Sequence, residues 1–258
     1  MAFHVVIPAR HASTRLPGKP LLDIGGRPMV QRVVERACES GADEVIVATD
    51  DARIAAVVSD PRRRGAPIAV MTDPDLPSGT DRVAAVAAAR GWSDATVVVN
   101  VQGDEPFLPP ALIDQAARLL EADPAAGIAT LATPVQSLEE FLDPNVVKVV
   151  TAGDGAALYF SRAPIPWTRD AAPGGLASQS EFAGALRHVG LYAYRVGTLR
   201  RITSLPPSSL EVREKLEQLR ALENGMRIVV GVCVEAPAAG VDTAHDLEKA
   251  RERAARGA

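Results

Sequence analysis

The chain has 258 residues, 47 % of them hydrophobic but only 4 % aromatic, so small aliphatic side chains must build its core. That length suits one large α/β domain, or one domain with an appendage, and a formal net charge of −4 argues against general nucleic-acid binding. Cys38 and Cys233 lack metal-type spacing, no apolar run is long enough to span a membrane, and residues 1–9 carry no basic leader, which together suggest a reduced, cytoplasmic protein.

Residues 4–9 read as a buried strand, followed by a helix over 28–40 with Pro28 at its start and Gly41 after its end. A second strand spans 44–49 and a helix 52–58; a third strand spans 67–71 and an Ala-rich helix 80–90. The fourth strand, 95–101, is nearly continuous valine, as expected of a parallel sheet covered on both faces, and a helix over 109–122 follows. This alternation predicts an α/β fold, a doubly wound and mainly parallel sheet.

Beyond about residue 125 the rhythm changes. Strands at 127–135, 146–151 and 156–161 lie close together, the last two joined by a hairpin through Gly153-Asp154-Gly155. A polar loop over 168–181 reads as mobile, and a strand at 189–194 follows it. Helices at 196–204 and 212–224, a strand at 227–234 and a helix at 243–255 complete the chain. Cys38 is expected in a helix core and Cys233 in a strand core, while His4, His11 and His245 are expected to be structural or at the surface.

Four segments carry chemistry. The loop after the first strand holds Arg10, Arg15 and Lys19, where an open α/β sheet binds ligands; a clamp for a polyphosphate competes with a merely solvated loop. It lacks the spaced glycines of a dinucleotide site, and Pro20 after Gly18-Lys19 excludes a Walker A loop. Asp104 and Glu105 follow the fourth strand, in a position suited to Mg²⁺ or to capping the next helix. Asp242, before the last helix, is either its cap or a second metal ligand paired with Asp104. Ser78-Gly79-Thr80-Asp81-Arg82 opens a helix that either contacts a nucleotide or is ordinary helix entry with Thr80 as cap. Strand alternation puts His188, Gly190, Tyr192 and Tyr194 on one face, as a pocket wall or as structural groups. The charges over 211–220 read as pairs along one helix.

Set in order, several motifs resemble the CMP-Kdo synthetase family, the 3-deoxy-manno-octulosonate cytidylyltransferases. They are Ile-Pro-Ala-Arg-x-x-Ser-Thr-Arg-Leu-Pro-Gly-Lys-Pro-Leu at 7–21, Val-Ala-Thr-Asp at 47–50, Ser-Gly-Thr-Asp-Arg at 78–82 and Val-Asn-Val-Gln-Gly-Asp-Glu-Pro at 99–106. The likeness continues through Asn-Val-Val-Lys-Val-Val at 145–150, Ala-Leu-Tyr-Phe-Ser-Arg at 157–162, Ile-Pro-Trp at 165–167, Arg-His-Val-Gly-Leu-Tyr at 187–192, Leu-Glu-Gln-Leu-Arg at 216–220 and Gly-Val-Asp-Thr at 240–243. One departure is Leu76, where the family often has His two residues before the Ser of Ser-Gly-Thr.

The resemblance implies a Rossmann-like nucleotide-diphospho-sugar transferase fold, one domain over 1–258 with a β-rich dimerisation and sugar-binding region inserted at about 130–195. It implies transfer of CMP from CTP to Kdo, Mg²⁺ dependence, a cytoplasmic homodimer and a role in lipopolysaccharide biosynthesis. By the family pattern Arg10, Lys19, Asp104 and Asp242 form the catalytic set, with Asp104 and Asp242 on the metal. Pro8, Ala9, Arg10, Lys19, Thr49, Asp50, Ser78, Gly79, Arg82 and Gln102 would hold the nucleotide. Arg15, Gln102, Arg162, His188, Tyr192, Glu217 and Gln218 would line the sugar-acid site. Alternatives are a sialic-acid-type cytidylyltransferase, against which His11-Ala12-Ser13-Thr14-Arg15 stands in place of Gly-Gly-Ser-Lys, an enzyme for an eight-carbon amino-sugar analogue, and a silent nucleotide-binding regulator.

Overall fold

A computed structural model describes residues 2–12, 16–58, 67–238 and 240–256. Arg15, expected at the sugar-acid site, lies outside the described residues. The chain runs β1 (Phe3–Ala9), α1 (Met29–Cys38), β2 (Glu44–Thr49), α2 (Ala52–Val58), β3 (Ile68–Met71), α3 (Gly79–Ala89), β4 (Val97–Asn100) and α4 (Pro110–Ala122). It continues through β5 (Ile128–Pro134), α5 (Leu138–Leu142), β6 (Lys148–Thr151), β7 (Ala157–Ser161) and β8 (Leu186–Arg195). The last elements are α6 (Val196–Ser204), α7 (Ser209–Glu214), α8 (Gln218–Glu223), β9 (Ile228–Val232) and α9 (Ala244–Ala255).

Among the described residues nine strands form one sheet, whose main path is β3-β2-β1-β4-β8-β5-β9. β1 pairs in parallel with β2 and β4, and β2 with β3; the long β8 is inserted antiparallel between β4 and β5. All four residues of β4 are buried, because both faces of the sheet are covered. On one face Val5, Ile7 and Val99 pack with α1 and α4 residues such as Val30, Val33, Leu112 and Ile113. On the other, Val6, Ile46 and Val98 pack with Val83 and Val86 of α3 and Leu199 of α6. The buried positions of α1 (Met29, Val30, Val33, Val34 and Ala37) form a helical stripe. Cys38 falls just beyond that stripe and is exposed, so the expected core position is corrected. Cys233 follows β9, half-buried, its N–H donating to Ala132 O at 2.8 Å.

The β6–β7 hairpin forms as expected: Gly155 takes φ +80°, and Ala152 N donates to Ala156 O at 2.8 Å. β6 also pairs with Leu186 and Arg187 at the start of β8, so the hairpin is stitched to the main sheet. Lys148, fully buried, holds this corner by donating to the carbonyls of Asp143, Val146 and Arg162 at 2.9, 2.6 and 2.8 Å. The 168–181 loop contains two short 3-10 turns, Arg169–Ala171 and Leu176–Ser178.

Two helical readings change. The single helix expected over 212–224 is two, because Lys215 adopts a left-handed conformation (φ 55°, ψ 47°) that ends α7 and drops Leu216 into the core. The Glu211–Arg220 pair therefore clamps two helices together, with Arg220 Nη2 2.5 Å from Glu211 Oε1, and is not a surface pair along one helix. α5 was not expected, although its Ser137-x-x-Glu140 signal is present: Ser137 accepts from the Glu140 N–H at 3.1 Å.

Candidate active site

The carboxyl ends of β1, β2 and β4 open on one crevice, where an α/β sheet places its ligands. Pro8 and Ala9 end β1, and Arg10 stands exposed just beyond. The turn after β4 crosses close above β1: a Cβ at Gly103 would lie 2.7 Å from Pro8 O, a contact only glycine permits. A Cβ at Gly79, at the start of α3, would meet the Pro8 ring at 3.4 Å. Three chain segments thus converge on Pro8.

Lys19 enters the crevice on a short 3-10 turn, Lys19–Leu21, which Gly18 introduces with φ +66°. Its ammonium donates to Asp104 Oδ2 at 2.7 Å and to Asp242 Oδ1 at 2.9 Å. The two carboxylates are brought together by the backbone, since Val241 N donates to Asp104 O at 2.9 Å. Neither is a helix cap. α4 is entered through Pro109, and α9 is capped by Thr243 in a reciprocal capping box with Asp246. With capping assigned elsewhere, both carboxylates are left to face one cationic point.

Among the described residues no cluster of three or more His, Cys, Asp and Glu side chains could hold a metal. Two convergent carboxylates nonetheless fit Mg²⁺, which commonly takes one or two protein carboxylates and completes its shell with water and substrate phosphate. Glu105, read from the sequence beside Asp104 as suited to Mg²⁺ or to capping, sits against Gly240. Burial and the neighbouring Asp104 carboxylate push its pKa up to about 7.

The expected nucleotide residues divide. Ser78, not Thr80, caps α3, accepting from the Asp81 N–H at 3.2 Å. Thr49 is buried at the end of β2 and its carbonyl accepts from the Thr72 N–H at 2.8 Å. Asp50 Oδ1 accepts from the His11 N–H at 3.4 Å and Oδ2 accepts from Arg82 Nη2 at 2.7 Å. Arg82 itself is fully buried and also donates to Thr72 Oγ1 at 2.6 Å and Asp73 O at 3.1 Å. Arg82, expected to help hold the nucleotide, thus ties the 72–74 loop to Asp50 at the end of β2. Leu76 is half-buried, its N–H 3.4 Å from Asp73 O.

A cavity of about 220 Å³ adjoins the crevice, and Gln102, Tyr192, Glu217 and Gln218 all line it. Gln102 donates to Gly190 O at 3.3 Å, and Glu217 accepts from Thr80 Oγ1 at 2.8 Å, tying the cavity wall to the start of α3. Lys215 and Asn100 also line it; the sequence reading gave neither a role. Arg162 is not part of this wall: it donates through Nε to Glu214 O at 2.7 Å and through Nη1 to Pro144 O at 3.0 Å.

His188 packs edge-on to Phe160 (4.9 Å between centroids) and lies 5.3 Å from Tyr192, which stacks on Tyr194 at 5.7 Å. The shared face expected from strand alternation is present. Thr130 Oγ1 lies 2.8 Å from Leu191 O and 2.9 Å from His188 Nε2. The single hydroxyl proton satisfies the carbonyl, so the oxygen accepts Nε2–H. Burial, with Arg187 nearby, lowers the pKa of His188 to about 3. The unfolded chain binds a proton near pH 6.5 that the folded chain refuses, so stability is complete above that pH and falls as pH drops toward 3. At pH 5 the expected loss is about 2 kcal/mol by linkage, given the folded pKa of about 3. Denaturant unfolding of His188→Gln between pH 7 and 5 should give a flatter curve than wild type; parallel curves would refute this origin.

The chain matches a family model described as cytidylyltransferase over residues 4–228. It is 54 % identical over 250 residues to the 3-deoxy-manno-octulosonate cytidylyltransferase of Methylococcus capsulatus, covering 96 % of this chain and 95 % of that one. It is 51 % identical over 249 residues to the protein of that name from Thioalkalivibrio sulfidiphilus, covering 96 % and 97 %. A solved CMP:2-keto-3-deoxy-manno-octonic acid synthetase complexed with CTP superposes with a TM-score of 0.86 at 42 % identity, covering 100 % of this chain and 99 % of that one. The chain belongs to the 3-deoxy-manno-octulosonate cytidylyltransferase family.

Proposed function

We propose that the protein transfers CMP from CTP to Kdo, giving CMP-Kdo and diphosphate and so activating Kdo for lipopolysaccharide biosynthesis. The observation that carries this reading is the meeting of Lys19 with both Asp104 and Asp242 at 2.7 and 2.9 Å, beside a cavity walled by Gln102, Tyr192, Glu217 and Gln218. A polyphosphate needs fixed cations, a sugar acid needs a polar cavity, and the two adjoin here.

In this reading Arg10 and Lys19 hold the CTP phosphates and stabilise the charge that develops on the departing diphosphate. The anomeric hydroxyl of Kdo attacks the α-phosphorus in line, forming the new P–O bond as the bond to diphosphate breaks, and the hydroxyl proton passes to solvent water. Asp104 and Asp242 are the residues that would hold Mg²⁺, which when bound supplies charge neutralisation and a lowered hydroxyl pKa. Gln102, His188, Tyr192, Glu217 and Gln218 orient the sugar acid, and neutral His188 takes part as a hydrogen-bonding and packing group. Ser78 and Gly79 meet the nucleotide at the mouth of α3. Diphosphate release with CTP and Kdo together, against CTP alone and against CTP with sialic acid or an amino-sugar analogue, tests the assignment; release independent of the acid would overturn it.

The protein also acts in this reading as a cytoplasmic homodimer. No helix among the described residues is long and apolar enough to cross a membrane. Leu158, Trp167 and Leu176 are exposed at 61 %, 42 % and 59 %, all within the 130–195 region expected to dimerise. Light scattering should give the mass of two chains for wild type and of one for Leu158→Asp; a wild-type monomer would remove the dimer from this reading.

A further inference from the structure

Asn100 is the last residue of β4, two positions before Gln102 and four before Asp104. Its side chain is 2 % exposed, and Oδ1 is sealed from solvent without a hydrogen-bond partner among the described residues. A buried amide oxygen left unpaired is costly, and native structures rarely keep one without a reason. The sequence sharpens the anomaly. Val97, Val98 and Val99 precede Asn100 in the same strand and Val101 follows it, so another valine is what the surrounding core would favour.

The position of Asn100 supplies the reason. It lines the cavity of about 220 Å³ and stands directly opposite Tyr192 in the β4–β8 register. Two other polar side chains of that wall are already engaged with protein: Gln102 with Gly190 O and Glu217 with Thr80. Asn100 presents a neutral amide, which reads hydroxyl groups and does not read charge. We infer that Asn100 is a specificity-determining residue that hydrogen-bonds a hydroxyl of the sugar acid, resting on the CMP-transfer reading above. A substrate that carries this hydroxyl satisfies the amide. An analogue lacking it leaves the amide buried and unpaired, which is how a site rejects a close relative strongly.

Stability and affinity should therefore move in opposite directions. Asn100→Leu, close in volume, removes the unpaired group and is expected to hold or raise the melting temperature. The same change raises KM for Kdo about tenfold or more and leaves KM for CTP within twofold. Asn100→Ala, which leaves room for the substrate, should show the same split in KM. The corresponding deoxy analogue of Kdo should lose in wild type what the variants lose with Kdo, and lose little more in Asn100→Leu. A lower melting temperature with both KM values raised would make Asn100 structural. A rise confined to CTP would place it against the nucleotide. Either result, or a KM for Kdo within twofold of wild type in both variants, overturns the inference. Absence of product from CTP and Kdo with the wild-type protein overturns the underlying reading as well; product with an unchanged KM in the variants overturns this step alone.

Discussion

Lys19→Ala and Asp104→Ala should each lower turnover by about 10²–10³ or more, the usual consequence of removing one charged contact from a preorganised transfer site. Neither should unfold the protein. The side chains of Lys19, Asp104 and Asp242 keep 13 %, 32 % and 47 % of their exposure, so water screens much of their mutual attraction in the folded state. The hydrogen bond that joins the two acidic segments, Val241 N to Asp104 O, is a backbone bond and survives both substitutions. Lys19→Arg should not restore activity, because one compact ammonium meets both carboxylates here, and a planar guanidinium presents its donors in a fixed fork. Diphosphate release and thermal melting, measured on the same preparations, separate lost chemistry from lost structure. Wild-type-like turnover in either alanine variant would sink the catalytic assignment.

Much of this arrangement was legible in the sequence because it is local. β2, α2 and α6 begin and end where hydrophobic runs and breakers place them, and the continuous valines of β4 announce a strand covered on both faces. Pairing Asp104 with Asp242 was open to sequence reasoning only as an alternative to capping. The choice needed Thr243, whose capping box with Asp246 makes a second cap at Asp242 unnecessary. The rest depends on contacts distant along the chain. Nothing near Lys215 announces its left-handed turn, since the residue has no glycine or asparagine character; the break follows from seating Leu216 in the core while Arg220 reaches back to Glu211. Asn100 looked like the polar end of a strand, and only the β4–β8 register shows it beside Tyr192 in the wall of a cavity. Arg82 carried a family expectation of nucleotide contact, and its burial could not be read from an Ala-rich helix.

Arg82→Leu should destabilise the fold by about 3–5 kcal/mol, the cost of breaking a buried ion pair by removing one partner. The Arg82 side chain is 0 % exposed and that of Asp50 12 %, with 2.7 Å between Nη2 and Oδ2. Removing the guanidinium strands the Asp50 carboxylate and also takes donors from Thr72 Oγ1, Asp73 O and Pro74 O. Arg82→Lys should recover only part of this, since one ammonium cannot reach a carboxylate on β2's end and a turn's carbonyls in the same geometry. Asp50→Asn combined with Arg82→Leu should cost less than the sum of the two single changes, because the stranded charge is gone. The functional consequence runs through the loop. Residues 72–74 lead directly to Ser78 and Gly79, so a milder variant such as Arg82→Lys should raise KM for CTP more than KM for Kdo. Urea unfolding at 25 °C gives the stability, and the two KM values give the coupling. A loss below about 1 kcal/mol in Arg82→Leu would mean that the buried pair is dispensable, and the 72–74 loop would then need another support.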